Sequence, residues 1–249
     1  KVNLHNINIH IMNKYLIDNL QILMPVHNEG KSLEEIINKI HEVLKKKINF
    51  SFIICEDGSN DDTLDILNTL KLNYPIDLIT HPNKKGYSNA VIDGIKKASS
   101  EYLLIMDSDG QCDPNEILKF WDNRKKADLI NGNRTQRVDF LYRKFFSKFA
   151  FYVYKFFFNL ELKDPSFAFA LMNKKVYSNL SSFKPQMPDG FFWEFNARAK
   201  RKGYSFFEVD INHKKRKYGN TKIFHFYKLP RVAFINLVGL IKVKFFYRD

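Results

Sequence analysis

The chain is organised around the segment Leu103-Leu104-Ile105-Met106-Asp107-Ser108-Asp109-Gly110-Gln111. Its first four residues form a continuous apolar run, which is typical of a parallel strand buried on both faces. Two carboxylates then follow at the carboxyl end of that strand, the edge at which open α/β sheets bind their ligands. Asp107, Asp109 and the amide oxygen of Gln111 are hard ligands, suited to Mg²⁺ or Mn²⁺ that also binds phosphate oxygens.

Two simpler interpretations compete with a metal site at this segment. An EF-hand loop that began at Asp107 would need glycine at its sixth position and glutamate at its twelfth. The chain has Cys112 and Leu118 there, which excludes that loop. A solvated turn stays open at this point, because Asp-Gly is common in turns. The sequence on either side of the segment bears on that choice.

The composition indicates a globular protein with an anionic partner. With 249 residues, 45% of them hydrophobic, the chain can bury a real core, and one large domain is favoured. A net charge of +13 indicates an anionic ligand or surface, although lysines scattered over solvated faces would give the same total. No helix-turn-helix, zinc-finger or RNA-binding pattern accompanies the charge. We therefore expect phosphate on a small molecule or a lipid, and no nucleic acid.

Cysteine usage and hydropathy indicate a cytoplasmic protein. Cys55 and Cys112 form no CxxC pair and no disulfide framework, so a reducing compartment fits. No apolar run reaches the roughly 18 residues that a membrane span needs. The start, Lys1-Val2-Asn3-Leu4-His5, lacks the apolar region of a signal peptide. We set residues 1–18 apart as a segment of uncertain role.

Strands and helices alternate through the first half of the chain. Strands are predicted at 20–26, 50–55, 76–80, 103–106 and 127–131. Ser32 with Glu35 has the pattern of a capping box, and Pro114 suits the first position of a helix. Glycine or alanine every fourth residue, at 86, 90, 94 and 98, predicts a helix that packs closely on the sheet. This order predicts an α/β fold: a mostly parallel, Rossmann-like sheet with helices on both faces.

Three predicted strands end in polar residues. They are followed by Pro25 to Glu29, by Asp57, and by Asp107 with Asp109. Because the carboxyl ends of parallel strands share one edge of a sheet, we expect these groups to converge there. Convergence favours a binding site over a solvated turn.

The second half changes character, although a helix is predicted over 189–202 and a further strand over 204–209. Residues 140–160 mix phenylalanine and tyrosine with lysine and arginine, and residues 216–222 form a basic loop. The segment 223–249 is apolar between 232 and 241 apart from Asn236, with basic residues on both flanks. It is too short to span a bilayer but suited to lie on an anionic membrane surface. We therefore predict a main domain over 19–222 and an amphipathic, membrane-interface segment over 223–249.

The order of motifs resembles family 2 of the inverting glycosyltransferases, which have the GT-A fold. Within the family, the polyprenyl-phosphate sugar synthases, such as dolichyl-phosphate mannose synthase, are the most similar. The resemblance covers about 20–222 and rests on six motifs in the family's order. They are Met24-Pro25-Val26-His27-Asn28-Glu29, Glu56-Asp57-Gly58-Ser59-Asn60-Asp61-Asp62-Thr63, Asn83-Lys84-Lys85-Gly86 with Ala90 and Gly94, Asp107-Ser108-Asp109-Gly110-Gln111, Gly132-Asn133-Arg134, and Arg216-x-x-Gly219-x-Thr221-Lys222.

The resemblance implies a role for each matching residue. The residues implied to hold a UDP- or GDP-sugar donor are Pro25, Glu29, Asp57, Gly86 and Asp107. Those implied to hold Mg²⁺ or Mn²⁺ and the diphosphate are Asp107, Asp109 and Gln111. Those that match positions holding an acceptor phosphate are Arg134, Arg143, Ser147, Arg216 and Lys222. The chain departs from the family at 166–169, where Ala168 replaces the glycine of Ser-Gly-Phe.

The implied reaction is one in-line displacement with inversion at the anomeric carbon. A phosphate acceptor is already anionic at neutral pH and needs cations, whereas a sugar hydroxyl needs a general base. Candidate bases are Asp164, Asp189 and Glu194. Glu194 fits equally well a simple helical ion pair with Arg198, and Asp189 a helix cap. We count Glu194 with Asp109, Arg134, Arg216 and Lys222 as the residues expected to carry the transfer.

Three functions follow as hypotheses. The first is transfer of a sugar to polyprenyl phosphate by a protein peripheral to the cytoplasmic membrane face. The second keeps the donor site but uses a glycan hydroxyl as the acceptor. The third is a basic, non-catalytic membrane-binding module that retains only the nucleotide pocket. Asp107, Asp109 and Gln111 are all present, which favours an enzyme over the module.

Overall fold

The computed structural model describes residues 19–135, 151–152, 154–188, 190–214 and 229–246. The strands are β1 (Asn19–Val26), β2 (Asn49–Asp57), β3 (Ile76–His81), β4 (Tyr102–Met106), β5 (Leu129–Arg134), β6 (Phe169–Asn173) and β7 (Phe206–Ile211). The helices with named bounds are α1 (Gly30–Leu44), α2 (Thr63–Leu70), α3 (Tyr87–Lys97), α4 (Glu116–Asn123), α5 (Lys174–Asn179), α6 (Phe191–Arg201) and α7 (Leu229–Phe245). Residues 1–18 and 223–228 lie outside the described ranges.

The seven strands form one sheet in the order β3-β2-β1-β4-β6-β5-β7. The first four are parallel neighbours, and β5 is parallel to β7. β6 runs antiparallel to both β4 and β5. The predicted mostly parallel sheet is confirmed. The inserted antiparallel strand was not predicted, although the run Phe169-Ala170-Leu171-Met172 is apolar.

Two predicted strands continue further along the chain than expected. β5 was predicted over 127–131 and extends through Gly132, Asn133 and Arg134, because these residues pair in register with β7. Gly132 suits this ladder, since a Cβ there would lie 2.9 Å from the ring of Phe167. β7 was predicted over 204–209 and ends two residues later.

The predicted capping box at the start of α1 is wrong. The helix begins at Gly30, with Glu29 at its N-cap, so Ser32 lies inside the first turn. Its hydroxyl donates to the carbonyl of Glu29 at 3.1 Å. Glu35 bonds instead to Lys39, one turn further along. The helix starts earlier because the chain turns directly after β1.

Two other helices begin later than predicted. α4 starts at Glu116 rather than Pro114, after a turn in which the Asp113 carboxylate accepts the amide of Asn115 at 3.0 Å. α6 starts at Phe191. Asp189, its predicted cap, lies outside the described residues.

The sheet has an apolar layer on each face. Ile22 and Met24 of β1 point into the layer with α1, α2 and α4, and Leu23 points into the layer with α3, α5 and α6. The small-residue stripe on α3 brings that helix close to the sheet, as predicted. A Cβ on Gly94 would lie 2.2 Å from a methyl group of Leu23. Close packing of α3 fixes where its first turn meets the strand ends.

A third apolar cluster joins α7 to the domain. It contains Tyr154, Phe158, Met187, Leu240 and Val243. The C-terminal helix is therefore packed on the domain through one face rather than detached from it. Within the described ranges, no helix has the length and apolar character that crossing a membrane requires.

Candidate donor site at the carboxyl edge of the sheet

The carboxyl ends of β1, β2 and β4 meet at one edge, as the sequence predicts. The amide of Asn28 donates to the hydroxyl of Ser59 at 2.9 Å, which ties the loop after β1 to the loop after β2. The hydroxyl of Ser108 donates to the carbonyl of Pro25 at 3.2 Å, which ties the loop after β4 to β1. The amide of Glu29 donates to Thr63 at 3.0 Å. These bonds make one continuous site from three strand ends.

Asp57 organises the loop that follows β3. Its carboxylate accepts the amides of Lys85 and Gly86, both at 2.8 Å. Burial alone would raise the pKa of Asp57, but these two amides and His81 outweigh it and hold the pKa below its ordinary value. Gly58 has a φ of +64°, and a Cβ there would lie 2.7 Å from the backbone of Asn83. The loops after β2 and β3 thus form one tight wall of the site.

His81 lies between two carboxylates. Its Nδ1 is 3.1 Å from Asp57 Oδ1, and its Nε2 is 3.2 Å from Asp93 Oδ2. Each ring nitrogen therefore lies within hydrogen-bonding distance of a carboxylate oxygen, one at the end of β2 and one on α3. Lys85 also pairs with Asp93, at 3.2 Å. This cluster was not predicted, because neither His81 nor Asp93 belongs to a motif and their spacing in the sequence is not that of metal ligands.

The metal loop predicted at 107–111 is held at both ends. The Asp109 carboxylate accepts the amide of Gln111 at 3.0 Å. Gln111 in turn bonds to Lys214, with its side-chain amide donating to the Lys214 carbonyl at 3.0 Å and its carbonyl accepting the Lys214 amide at 2.9 Å. Gly110 has a φ of +73°, which suits glycine at this turn. Lys214 therefore joins the metal loop to the chain that leads into the basic loop.

The oxygen ligands that this loop offers suit a hard divalent cation that also binds ligands from outside the protein. The loop offers two carboxylates and one amide oxygen, and no thiolate or imidazole. In the described part of the chain, no group of three or more His, Cys, Asp or Glu residues could hold a metal ion. Mg²⁺ is commonly held by one or two carboxylates together with waters and substrate phosphates. The residues fit an ion that binds with a diphosphate.

Tyr87 contacts the first carboxylate of the metal loop. Its hydroxyl donates to Asp107 Oδ1 at 3.0 Å. Burial, and then the charges of Asp107 and Asp109, raise the pKa of Tyr87 well above its ordinary value, so the hydroxyl keeps its proton. The tyrosine was not singled out from the sequence.

Arg134 lies at the end of β5, in a bidentate pair with Asp164. Its Nε is 2.6 Å from Asp164 Oδ2, and its Nη2 is 3.0 Å from Asp164 Oδ1. The guanidinium carbon lies 4.7 Å from the ring centre of Phe167. Asp164, predicted as a candidate base, thus has both oxygens engaged by Arg134. In this position it orients the arginine.

Glu194 was predicted either as a catalytic residue or as the partner of Arg198 in a helical ion pair, and the structure forms the ion pair. Its side chain is 0% exposed, as is that of Arg198, whose Nη2 lies 2.8 Å from it. Its other oxygen accepts the amides of Gln186 and Met187, at 2.7 and 2.8 Å. Burial raises the pKa of Glu194 despite these partners. A carboxylate sealed in this way holds the 186–187 segment and cannot meet a substrate hydroxyl.

The remaining predicted site residues cannot be placed. Arg143, Ser147, Asp189, Arg216 and Lys222 lie outside the described residues. Pro25, Glu29, Asp57, Gly86, Asp107, Asp109 and Gln111 all lie on the edge formed by the strand ends.

Removing Glu194 should cost far more stability than an ordinary helical ion pair contributes. Glu194→Ala leaves Arg198 charged and buried, so we expect the free energy of unfolding to fall by about 3–5 kcal/mol. Glu35→Ala breaks a pair of the same i,i+4 spacing, 2.6 Å long but exposed, and should cost about 0.3–0.5 kcal/mol. Urea denaturation measures both values. Equal losses would contradict the burial assigned to Glu194.

The bonds to Asp57 should make stability depend on pH in acid. The pKa of Asp57 in the folded state is below its ordinary value of 3.8. The ionised group therefore stabilises the fold fully above that value, and the contribution is lost as the pH falls through the lowered pKa. Asp57→Asn should lower the free energy of unfolding by about 1.5–3 kcal/mol near pH 7.

The difference in the free energy of unfolding between Asp57→Asn and the unmodified chain should then disappear at acid pH. Denaturant titrations at pH 7 and at steps below pH 4 measure this gap. Asp77→Asn, at an exposed position of β3, is the matched control and should change stability by less than about 0.5 kcal/mol. A gap that stays constant down to the lowest pH would exclude an ionised Asp57 as the source.

Solved structures share this fold. The structure resembles glucosyl-3-phosphoglycerate synthase from Mycobacterium tuberculosis in complex with Mn²⁺, UDP-glucose and glycerol 3-phosphate, with a TM-score of 0.68 and 13% identity over 93% of this chain and 82% of that one. The same enzyme in complex with Mg²⁺ and UDP gives a TM-score of 0.69 and 14% identity, over 93% and 81%. These likenesses confirm the GT-A fold.

Two curated proteins are similar in sequence. The chain is 30% identical over 166 residues to a dolichol-phosphate mannosyltransferase of Pyrococcus furiosus, covering 63% of this chain and 47% of that protein. It is 27% identical over 122 residues to a poly-β-1,6-N-acetyl-D-glucosamine synthase of Staphylococcus epidermidis, covering 47% and 29%. The chain thus spans less than half the length of either relative.

A family model gives the assignment. Residues 21–181 match the model described as Glycosyl transferase family 2, a span that includes the edge formed by the strand ends, the 107–111 loop and Arg134. More than half of the chain lies within that match. The chain belongs to glycosyl transferase family 2.

Proposed function

We propose that this chain transfers a sugar from a UDP- or GDP-sugar to polyprenyl phosphate, with inversion, a divalent metal and peripheral attachment to the cytoplasmic membrane face. The acceptor is the part of this proposal that separates it from other reactions of the family. The main support is that two candidate bases are already engaged in ion pairs. Glu194 is buried against Arg198, and Asp164 is paired with Arg134. Arg134 itself lies at the end of β5.

Support for a nucleotide-sugar donor comes from the shared edge. Asp57 and the amides of 85–86 form one wall of this edge, and the metal loop at 107–111 forms the other. A nucleotide with its base near Asp57 would direct its diphosphate towards Asp107 and Asp109. A divalent ion bound there would neutralise the charge that develops on the leaving nucleoside diphosphate.

Support for a phosphate acceptor comes from the charges at the second half of the site. A phosphate monoester is anionic near pH 7, so the reaction needs cations to bring two anions together and needs no strong base. Arg134 donates to Asp164 and Ser166 through Nε and Nη2. Among the described residues its Nη1 has no protein partner, so two donors remain for an anion. Lys214, bonded to the metal loop, leads the chain into the basic loop of Arg216 and Lys222.

The similarity to a dolichol-phosphate mannosyltransferase adds to the case for a lipid phosphate. The similarity to a poly-β-1,6-N-acetyl-D-glucosamine synthase favours the second candidate, in which a glycan hydroxyl is the acceptor. That reaction would need a general base. Two of the three candidate bases, Asp164 and Glu194, are engaged in ion pairs, which favours the phosphate acceptor.

The transfer experiment tests donor and acceptor together. The chain is incubated with labelled UDP- and GDP-sugars, Mn²⁺ or Mg²⁺, and a short polyprenyl phosphate, and the label is followed into the organic phase. We expect label in the organic phase, lost in Asp109→Ala. We also expect its loss in Arg216→Ala, with donor binding retained.

Arg124→Ala, whose guanidinium lies over Trp121 outside the site, should leave transfer unchanged. Donor consumption with the label left in water would move the acceptor to glycans. No consumption of any donor would favour the non-catalytic membrane module.

Support for membrane attachment comes from exposed aromatic side chains near α7. We call Tyr152, Phe156, Phe245 and Phe246 the aromatic patch; Phe156 is 85% exposed and Phe246 75%. The helical residues 154–158 and α7 meet where the rings of Phe157 and Phe245 lie 6.3 Å apart. Lys155, Lys242 and Lys244 are exposed on the same two segments. Aromatic rings beside lysines suit an anionic membrane surface.

Liposome flotation tests this attachment. The unmodified chain should float with vesicles that contain anionic lipid and bind neutral vesicles weakly. The double variant Phe156→Ser/Phe246→Ser should lose most of that binding. Leu72→Ser removes a side chain that is 84% exposed on another part of the surface, and it should float like the unmodified chain. Equal flotation of both variants would contradict the role of the aromatic patch.

A further inference from the structure

We propose that Tyr87 is a positioning residue of the metal site, which holds the carboxylate of Asp107 in one orientation before the metal and the donor bind. The inference rests on the proposed function, because it concerns the divalent metal of that reaction. It assigns the tyrosine a task that neither the sequence motifs nor the family match includes.

The geometry places this side chain where it can do so. The hydroxyl donates to Asp107 Oδ1 at 3.0 Å, and the ring packs edge-on against Phe191, with 6.5 Å between ring centres. Phe191 is itself buried in the layer beneath α3. The ring is therefore braced from the core side, and its hydroxyl meets the strand end at a fixed point.

The backbone next to Tyr87 is fixed as well. The amide of Gly86 donates to Asp57 Oδ2 at 2.8 Å, and the hydroxyl of Ser88 donates to the carbonyls of Met187 and Pro188 at 3.0 and 2.8 Å. Gly86 has a φ of +91°, which lets its amide face Asp57 while the next residue begins α3. Three consecutive residues thus anchor the turn from which the tyrosine reaches Asp107.

A hydroxyl is chemically well suited to this task. An ammonium or guanidinium at the same place would neutralise Asp107 and compete with a cation for it. A neutral donor orients the carboxylate and leaves its charge in place. Hydrogen-bond partners of this kind fix the orientation of metal ligands, and their loss typically weakens metal binding 10- to 100-fold.

The test measures Mn²⁺ binding directly, by electron paramagnetic resonance of free Mn²⁺ in the presence of saturating UDP or GDP. Tyr87→Phe keeps the ring and removes only the hydroxyl. We expect its Mn²⁺ dissociation constant to rise about tenfold or more. The matched control is Tyr177→Phe, which removes another hydroxyl bond, to the carbonyl of Ser100, away from the site. Its Mn²⁺ affinity should match that of the unmodified chain.

Nucleotide binding in the presence of EDTA separates positioning from general damage. We expect UDP or GDP affinity without metal to be the same in Tyr87→Phe as in the unmodified chain. An unchanged Mn²⁺ affinity in Tyr87→Phe would overturn the inference. A fall in metal-free nucleotide affinity as large as the fall in Mn²⁺ affinity would also overturn it. Neither outcome would contradict the proposed function. If the unmodified chain with nucleotide binds no Mn²⁺, the metal of the proposed function fails and the inference falls with it.

Discussion

The geometry of the site depends on two hydrogen bonds that are donated by two adjacent residues at the start of α3. The amide of Gly86 bonds to Asp57 at the end of β2, and the hydroxyl of Tyr87 bonds to Asp107 at the end of β4. Adjacent Cα atoms are about 3.8 Å apart, so this single turn fixes how two strand-end carboxylates stand relative to each other. Packing of Gly94 against Leu23 holds the helix close enough for both bonds to form.

Buried charge in the second half of the chain supports that turn. Glu194, paired with Arg198, accepts the amides of Gln186 and Met187. The same segment then accepts the hydroxyl of Ser88 in α3. An ion pair inside a core contributes little net stability, but it leaves few alternative arrangements for the backbone that it binds. The buried charges therefore fix the 186–187 segment, and through Ser88 that segment helps to fix the first turn of α3.

Sequence alone could predict that the polar strand ends meet at one edge of the sheet, because the physical signal for this is local. Apolar runs that end in carboxylates mark buried strands and their carboxyl ends, and alternation with helices makes those ends coincide. The features that the sequence did not predict have different causes.

β6 runs antiparallel to its neighbours, so it is not part of a βα repeat that the sequence pattern would indicate. Glu194 and Arg198 have the same spacing as an exposed pair, and only tertiary packing shows that they are buried. The contacts of His81 with Asp93, and of Tyr87 with Asp107, involve residues outside the motifs, and only the folded chain brings them together.

The proposed function requires one edge of the sheet to hold a nucleotide at Asp57 and a divalent ion at Asp107 and Asp109. A crystal structure of the chain with Mn²⁺ and UDP or GDP, with the anomalous signal of manganese recorded, tests it most directly. We expect a manganese peak in ligand contact with Asp109 and a nucleotide base beside the wall formed by Asp57 and Gly86. A manganese peak elsewhere, or a nucleotide bound away from this edge, would contradict it.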